Sequence, residues 1–195
     1  MKAFRSLAAR AAVLDRPDVD TDQIIPKQFL KRIDRTGYGE FLFYDWRQDP
    51  DFELNRPESD GAKILLAGPN FGCGSSREHA TWALQDYGFE VVVAPSFGDI
   101  FFSNAVQVGL VPVTLPALDV KSLMKAAADG SVLTVDLETE TIVDSSGRSR
   151  RFEMDPFVRH CLLNGLDAIE RTLQHESDIA SFEVRAASPV ETTAL

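Results

Sequence analysis

The chain has 195 residues, 44% of them hydrophobic, which is enough to bury a core and unlike a disordered chain or a repeat array. Its formal net charge of −10 argues against a nucleic-acid or anionic-membrane surface, because either would repel it at long range. No apolar run approaches the roughly 20 residues of a membrane span, and the start MKAFRSLAAR lacks the apolar core of a signal peptide, so a cytoplasmic protein is expected.

The Arg and Ala content of that start also suits an organellar leader, but the alternation running on into AAVLD reads as a first strand, centred on residues 11–14. DRPDVDTDQIIPKQFLK then passes through Asp, Pro and Thr punctuation into a short apolar run ended by Pro26. A long, turn-rich excursion follows over residues 31–60, marked by TGYG, DWRQDPDF and NRPESDG. AKILLA at 62–67 and EVVVA at 90–94 are apolar runs of strand length. Between them lie a glycine-rich turn and about three turns of helix, with Ala80, Ala83, Leu84 and Tyr87 at helical spacing and Gly88 as the stop. A β-turn-α-β unit of this kind predicts two parallel strands joined by a right-handed crossover. A helix over 100–107, the strand-like LVPVTL, a helix over 118–128, and antiparallel strands turning at 138–140 and 145–147 come next. Helices over 155–163 and 166–182 close a mixed α/β chain, read as one domain over residues 1–187 with a tail over 188–195. Cys73 and Cys161 are the only cysteines, too few and too far apart for a disulfide framework or for a zinc or iron–sulfur site made by this chain alone.

The chemistry is concentrated in GPNFGCGSSREHATWAL at residues 68–84. Ser75 and Glu78 match the capping box S-x-x-E, in which both side chains satisfy free N–H groups at a helix start. A cap needs one glycine at most, whereas Gly68, Gly72 and Gly74 leave the approach to a helix N-terminus clear. Such an end suits a carboxylate, a phosphate or an alkoxide, and Arg77 beside it runs against the helix dipole unless an anion binds. A P-loop needs Lys then Ser or Thr where this chain has Ser-Ser-Arg, and a dinucleotide fingerprint needs a glycine where Arg77 stands. The stretch is not the G-x-S-x-G elbow of a serine hydrolase either, and His79, four residues from Ser75, is poorly placed as its base. A non-catalytic anion-sensing domain uses the same helix end and stays open on these grounds.

NFGCGSSREHATWAL, together with DTDQIIPKQFL upstream and HCLLNGLDAIERTLQH downstream, resembles the small-subunit family of bacterial 3-isopropylmalate dehydratases, relatives of aconitase. The resemblance runs from Asp20 to about Glu183. It implies a swivelling β/β/α domain of the aconitase C-terminal type, with mixed parallel and antiparallel strands, closing over a larger partner subunit that carries a four-iron, four-sulfur cluster. It also implies the reaction: water leaves 2-isopropylmalate and returns the other way round to give 3-isopropylmalate, through isopropylmaleate. By residue, it implies that Ser75 is the alkoxide-type base, that Ser76 and Arg77 bind substrate carboxylate, and that Asp22 of the Thr-Asp pair is a catalytic-site residue; no metal ligand is implied in this chain. The specificity loop falls on FLKRIDRT, residues 29–36, where Phe29, Leu30 and Ile33 offer the apolar contact an isopropyl group needs while Arg32 and Arg35 stand beside them. Relatives acting on homoaconitate or citraconate share this framework. Few apolar anchors are expected in the 31–60 excursion, which predicts the most mobile internal segment until the partner orders it.

Overall fold

The structure is a computed structural model that describes residues 1–31, 36–128 and 130–186. Among these, seven strands form one sheet in the order β4-β3-β2-β1-β5-β6-β7. The strands are β1 (Ser6–Leu14), β2 (Ile64–Ala67), β3 (Val91–Ala94), β4 (Val111–Thr114), β5 (Val132–Asp136), β6 (Thr141–Val143) and β7 (Ser149–Arg151). β1 to β4 run parallel, as the apolar runs and the crossover rule predict. β5, β6 and β7 continue the sheet antiparallel. β1 is longer than the expected 11–14 because its first half has a different partner. Residues 6–10 pair with β5, whereas Ala11 to Leu14 pair with β2.

The period-two alternation of the parallel strands divides the core between the two faces. Leu14, Leu65, Ala67, Val92 and Ala94 point to one face. There they meet α2 (Glu78–Tyr87) and α3 (Asp99–Val108). Ile64, Leu66, Val91, Val93, Val111 and Val113 point to the other, under α4 (Ala117–Ala128) and α5 (Pro156–Asn164). Gly88 ends α2 in the left-handed region, donating back to Gln85 and Leu84 carbonyls, and Asp155 caps α5 by accepting from Phe157 and Val158. The single closing helix expected over 166–182 is two: α6 (Ala168–Leu173) and α7 (Glu176–Arg185), with α1 (Thr21–Ile24) much earlier in the chain. The expected tail over 188–195 lies outside the described residues.

The excursion corrects a composition-based expectation. Tyr38, Leu42 and Phe43 are 0% exposed and Phe52 1%, so they belong to the core of the α2 face. Its turns are short 3₁₀ segments that deliver aromatic side chains inward, and the Phe43 amide donates to the Ile24 carbonyl at 2.8 Å. Turn residues signalled loops correctly, but the aromatic residues between them decide the packing.

Candidate functional site

The site lies where β1 and β2 end. After Leu14 the chain reaches α1, whose cap is a capping box that sequence reading placed elsewhere. Asp20 Oδ1 accepts from the Gln23 amide at 2.8 Å, and Gln23 Oε1 accepts from the Asp20 amide at 2.9 Å. After Ala67 the chain enters the glycine-rich turn. Here the match S-x-x-E fails as a cap: α2 starts at Glu78, its cap position is Arg77, and among the described residues no side chain caps it. Ser75 therefore stands two residues outside the cap position, exposed together with Ser76.

The glycines have two different jobs. A Cβ on Gly72, whose φ is +74°, would stand 2.2 Å from Phe101 Cγ, and one on Gly68 would stand 2.3 Å from the Arg16 carbonyl oxygen. Those two glycines pack the turn against α3 and the β1–α1 connection instead of clearing a path for a ligand. Gly74, at φ +89° with its nearest neighbour at 3.5 Å, is the glycine that meets the earlier expectation of open approach.

Two segments about 55 residues apart in sequence are held together by alternate residues of the turn. Thr21 donates from its amide to the Cys73 carbonyl at 3.0 Å and from Oγ1 to the Ser75 carbonyl at 2.9 Å. Arg77 then meets Asp22, Nη1 to Oδ1 and Nη2 to Oδ2, the second at 3.1 Å. Cys73 and Ser75, through their carbonyls, and Arg77, through its side chain, thus all contact α1. Val19 adds to this by accepting from Gly72 at 2.7 Å. Sequence reading named Asp22, Ser75, Ser76 and Arg77 but missed Thr21, the residue that holds Ser75 in place. Its signal was the adjacency of Thr21 and Asp22 in DTDQ, read only for the aspartate.

Burial shifts two titratable side chains beside this line, His79 and Cys73. Burial pushes the His79 imidazole below its ordinary value, with Glu78 opposing and Arg77 assisting. The ring packs 4.7 Å from Trp82 and 5.3 Å from Tyr38. The ring is thus held neutral at the helix rim by aromatic packing and burial. Burial first, then the Asp20 and Asp18 carboxylates, pushes the Cys73 thiol up, which keeps it a protonated, unreactive side chain near neutral pH. Among the specificity candidates, Phe29 stacks on Phe41 at 4.1 Å and meets Tyr44 edge-on at 4.9 Å, and Leu30 packs on the same core. Ile33 and Arg35 lie outside the described residues, as does Arg32. Among the described residues no group of three His, Cys, Asp or Glu side chains is placed to hold a metal ion, and no helix is long and apolar enough to cross a membrane.

A model of the aconitase C-terminal domain matches residues 1–118, and a model described as LeuD_N matches residues 121–156. The chain is 57% identical over 195 residues to the 3-isopropylmalate dehydratase small subunit of Bacillus licheniformis, covering 96% of this chain and 98% of that one. Against the protein of the same description from Geobacillus kaustophilus it is 53% identical over 192 residues, with 95% and 98% covered. The crystal structure of 3-isopropylmalate dehydratase from Methanocaldococcus jannaschii superposes with a TM-score of 0.68 at 31% identity, covering 91% of this chain and 99% of that one.

Proposed function

Because the chain belongs to the family of 3-isopropylmalate dehydratase small subunits, we propose that its share of the reaction is the serine base and the grip on a substrate carboxylate. The family's reaction, in leucine biosynthesis, moves a hydroxyl between adjacent carbons by dehydration and rehydration. The carbon that loses its proton is next to a carboxylate, so the charge that develops there spreads onto carboxylate oxygens. What this chain must supply is a base at the carbon and donors at the oxygens.

The observation that carries the reading is the alignment of Ser75, Ser76 and Arg77 on the segment entering α2, with Ser75 anchored through its carbonyl by Thr21 while its side chain stays exposed. A serine hydroxyl ordinarily keeps its proton far above neutral pH. The positive end of α2, without a side-chain cap among the described residues, favours the alkoxide that must accept the substrate proton. Ser76 and Arg77 then donate to the carboxylate beside the reacting carbon, Arg77 with the planar geometry that suits it.

Cys73 lies in the turn and Cys161 in α5, so this chain's residues do not fit an iron–sulfur cluster. We assign the four-iron, four-sulfur cluster, which supplies the Lewis acid for the departing hydroxyl, to the large subunit. We place the complex in the cytoplasm, where a soluble biosynthetic enzyme works.

Steady-state kinetics on the reconstituted heteromer test this assignment. Ser75→Ala should lower kcat by about 10²-fold or more with little change in KM, and Arg77→Lys should raise KM. Because Ser75 is not a helix cap, its loss should shift stability by no more than about 0.5 kcal/mol. A Ser75→Ala heteromer with undiminished kcat would remove the base assignment.

A further inference from the structure

We propose that Asp22 is a positioning residue for Arg77, holding the guanidinium by its outer pair of nitrogens so that the Nε edge faces the substrate carboxylate. The inference rests on the reading of Arg77 as a carboxylate-binding residue and assigns to Asp22 a task distinct from proton transfer.

Donor arithmetic supports it. A guanidinium has five N–H groups in a fixed plane. Asp22 takes one from Nη1 and one from Nη2, and among the described residues these are the guanidinium's hydrogen bonds. Three N–H groups remain, and the Nε–H with the inner Nη2–H forms the side-on edge, which matches a second carboxylate as well as the end-on edge matches the first. The same side-on geometry occurs elsewhere in this chain, where Arg16 donates from Nε and Nη2 to the two oxygens of Glu53 at 3.2 and 2.9 Å. One arginine can therefore bind Asp22 and substrate together.

The anchor is stiffer than the group it holds. Asp22 sits in the first turn of α1, which is fixed by its own capping box and by both hydrogen bonds from Thr21 to the turn. Arg77 reaches it from an extended backbone on a long, rotor-rich side chain. Fixing that side chain before substrate arrives removes ordering entropy from the binding step. Stability gains only modestly, because the Arg77 side chain is 16% exposed but the Asp22 side chain is 51% exposed, so water screens the pair from the aspartate side. The pair is formally neutral, so it selects a carboxylate by direction more than by net charge.

The test is a double-mutant cycle on the heteromer with 2-isopropylmalate, comparing wild type, Asp22→Ala, Arg77→Ala and the double variant. Asp22→Ala should raise KM by about 10-fold, the scale of one lost charge-assisted contact, while kcat falls far less than in Ser75→Ala and keeps the wild-type pH profile. Asp22→Asn, which keeps one acceptor oxygen for Arg77, should recover part of the loss. In the Arg77→Ala background the Asp22→Ala change should alter KM by less than about twofold. An Asp22 effect of undiminished size in that background would overturn the proposal, since Asp22 would then act on substrate or partner directly. An unchanged KM in Asp22→Ala would overturn it as well. An Arg77→Ala heteromer with wild-type KM would instead refute the carboxylate-binding reading of Arg77, and this proposal with it. Melting temperatures of the single variants should stay within about 3 °C of wild type, which separates positioning from folding.

Discussion

Asp144, beside the β6–β7 turn, shows how much a single carboxylate contributes when its partners are built around it. Its oxygens accept from Ser146 Oγ, from Arg150 Nη1 at 2.9 Å and from the amides of Ser146 and Arg148 at 3.0 and 3.2 Å. Arg150 is 3% exposed and also donates to Ser122 on α4 at 2.8 Å, so the pair ties the antiparallel hairpin to the helix above it. The Ser146 hydroxyl first, then Arg150, hold the Asp144 carboxyl down to about 2 from an ordinary 3.8. A folded-state value below the unfolded one means stability that is present above about pH 4 and lost as pH falls toward 2. The difference corresponds to about 2 kcal/mol at neutral pH. Asp144→Asn should therefore lower Tm by roughly 4–8 °C at pH 7 and flatten the stability slope between about pH 4 and pH 2. Denaturant melts across that range check it, and equal slopes in wild type and variant would count against the pair. Nothing in DSSGRSR, residues 144–150, announced this network. A serine, an aspartate and an arginine in a turn are ordinary until folding buries them.

At the scale of elements, the strands and helices that follow local period were legible, and those set by distant partners were not. The β2-α2-β3 unit and the stop at Gly88 follow from alternation and glycine chemistry within a few residues. The first half of β1 did not, because its pairing with β5 joins residues more than a hundred positions apart. The capping box was misplaced because S-x-x-E at 75–78 and D-x-x-Q at 20–23 are equally good matches, and only the fold decides which segment is helical three residues later. The excursion failed for another reason: turn residues report backbone direction and say nothing about where Phe43 or Phe52 ends up. Hydrogen exchange on the isolated chain turns this into a measurement. The Phe43 amide, buried and bonded to Ile24, should exchange about as slowly as the strand amides of β2. The amides of α7, whose described residues are all exposed, should exchange near the fast limit of the molecule. Fast exchange at Phe43 would restore the weakly anchored excursion that composition suggested.

For the whole molecule, the parts of the site were named in sequence but their arrangement was not, since no pattern places Asp22 against Arg77 across 55 positions. That arrangement also limits what the chain does alone. Ser75 and Ser76 stand exposed beyond the end of β2, and an alkoxide in contact with bulk water is protonated far faster than it meets a substrate. Excluding water strengthens every interaction of the α2 end and Arg77 with the anion, and on our reading only the large subunit covers these serines. Two cysteines on separate elements leave the chain without the ligands for a cluster of its own. The chain purified anaerobically should therefore bind no stoichiometric iron or sulfide and show no turnover of 2-isopropylmalate. Added to a fixed amount of cluster-loaded large subunit, it should restore activity in proportion until the two are equimolar, then no further. Iron and sulfide analysis with an activity titration checks both statements. A cluster retained by the isolated chain would break the division of labour, and turnover without the partner would mean that this chain itself shields the serines from water.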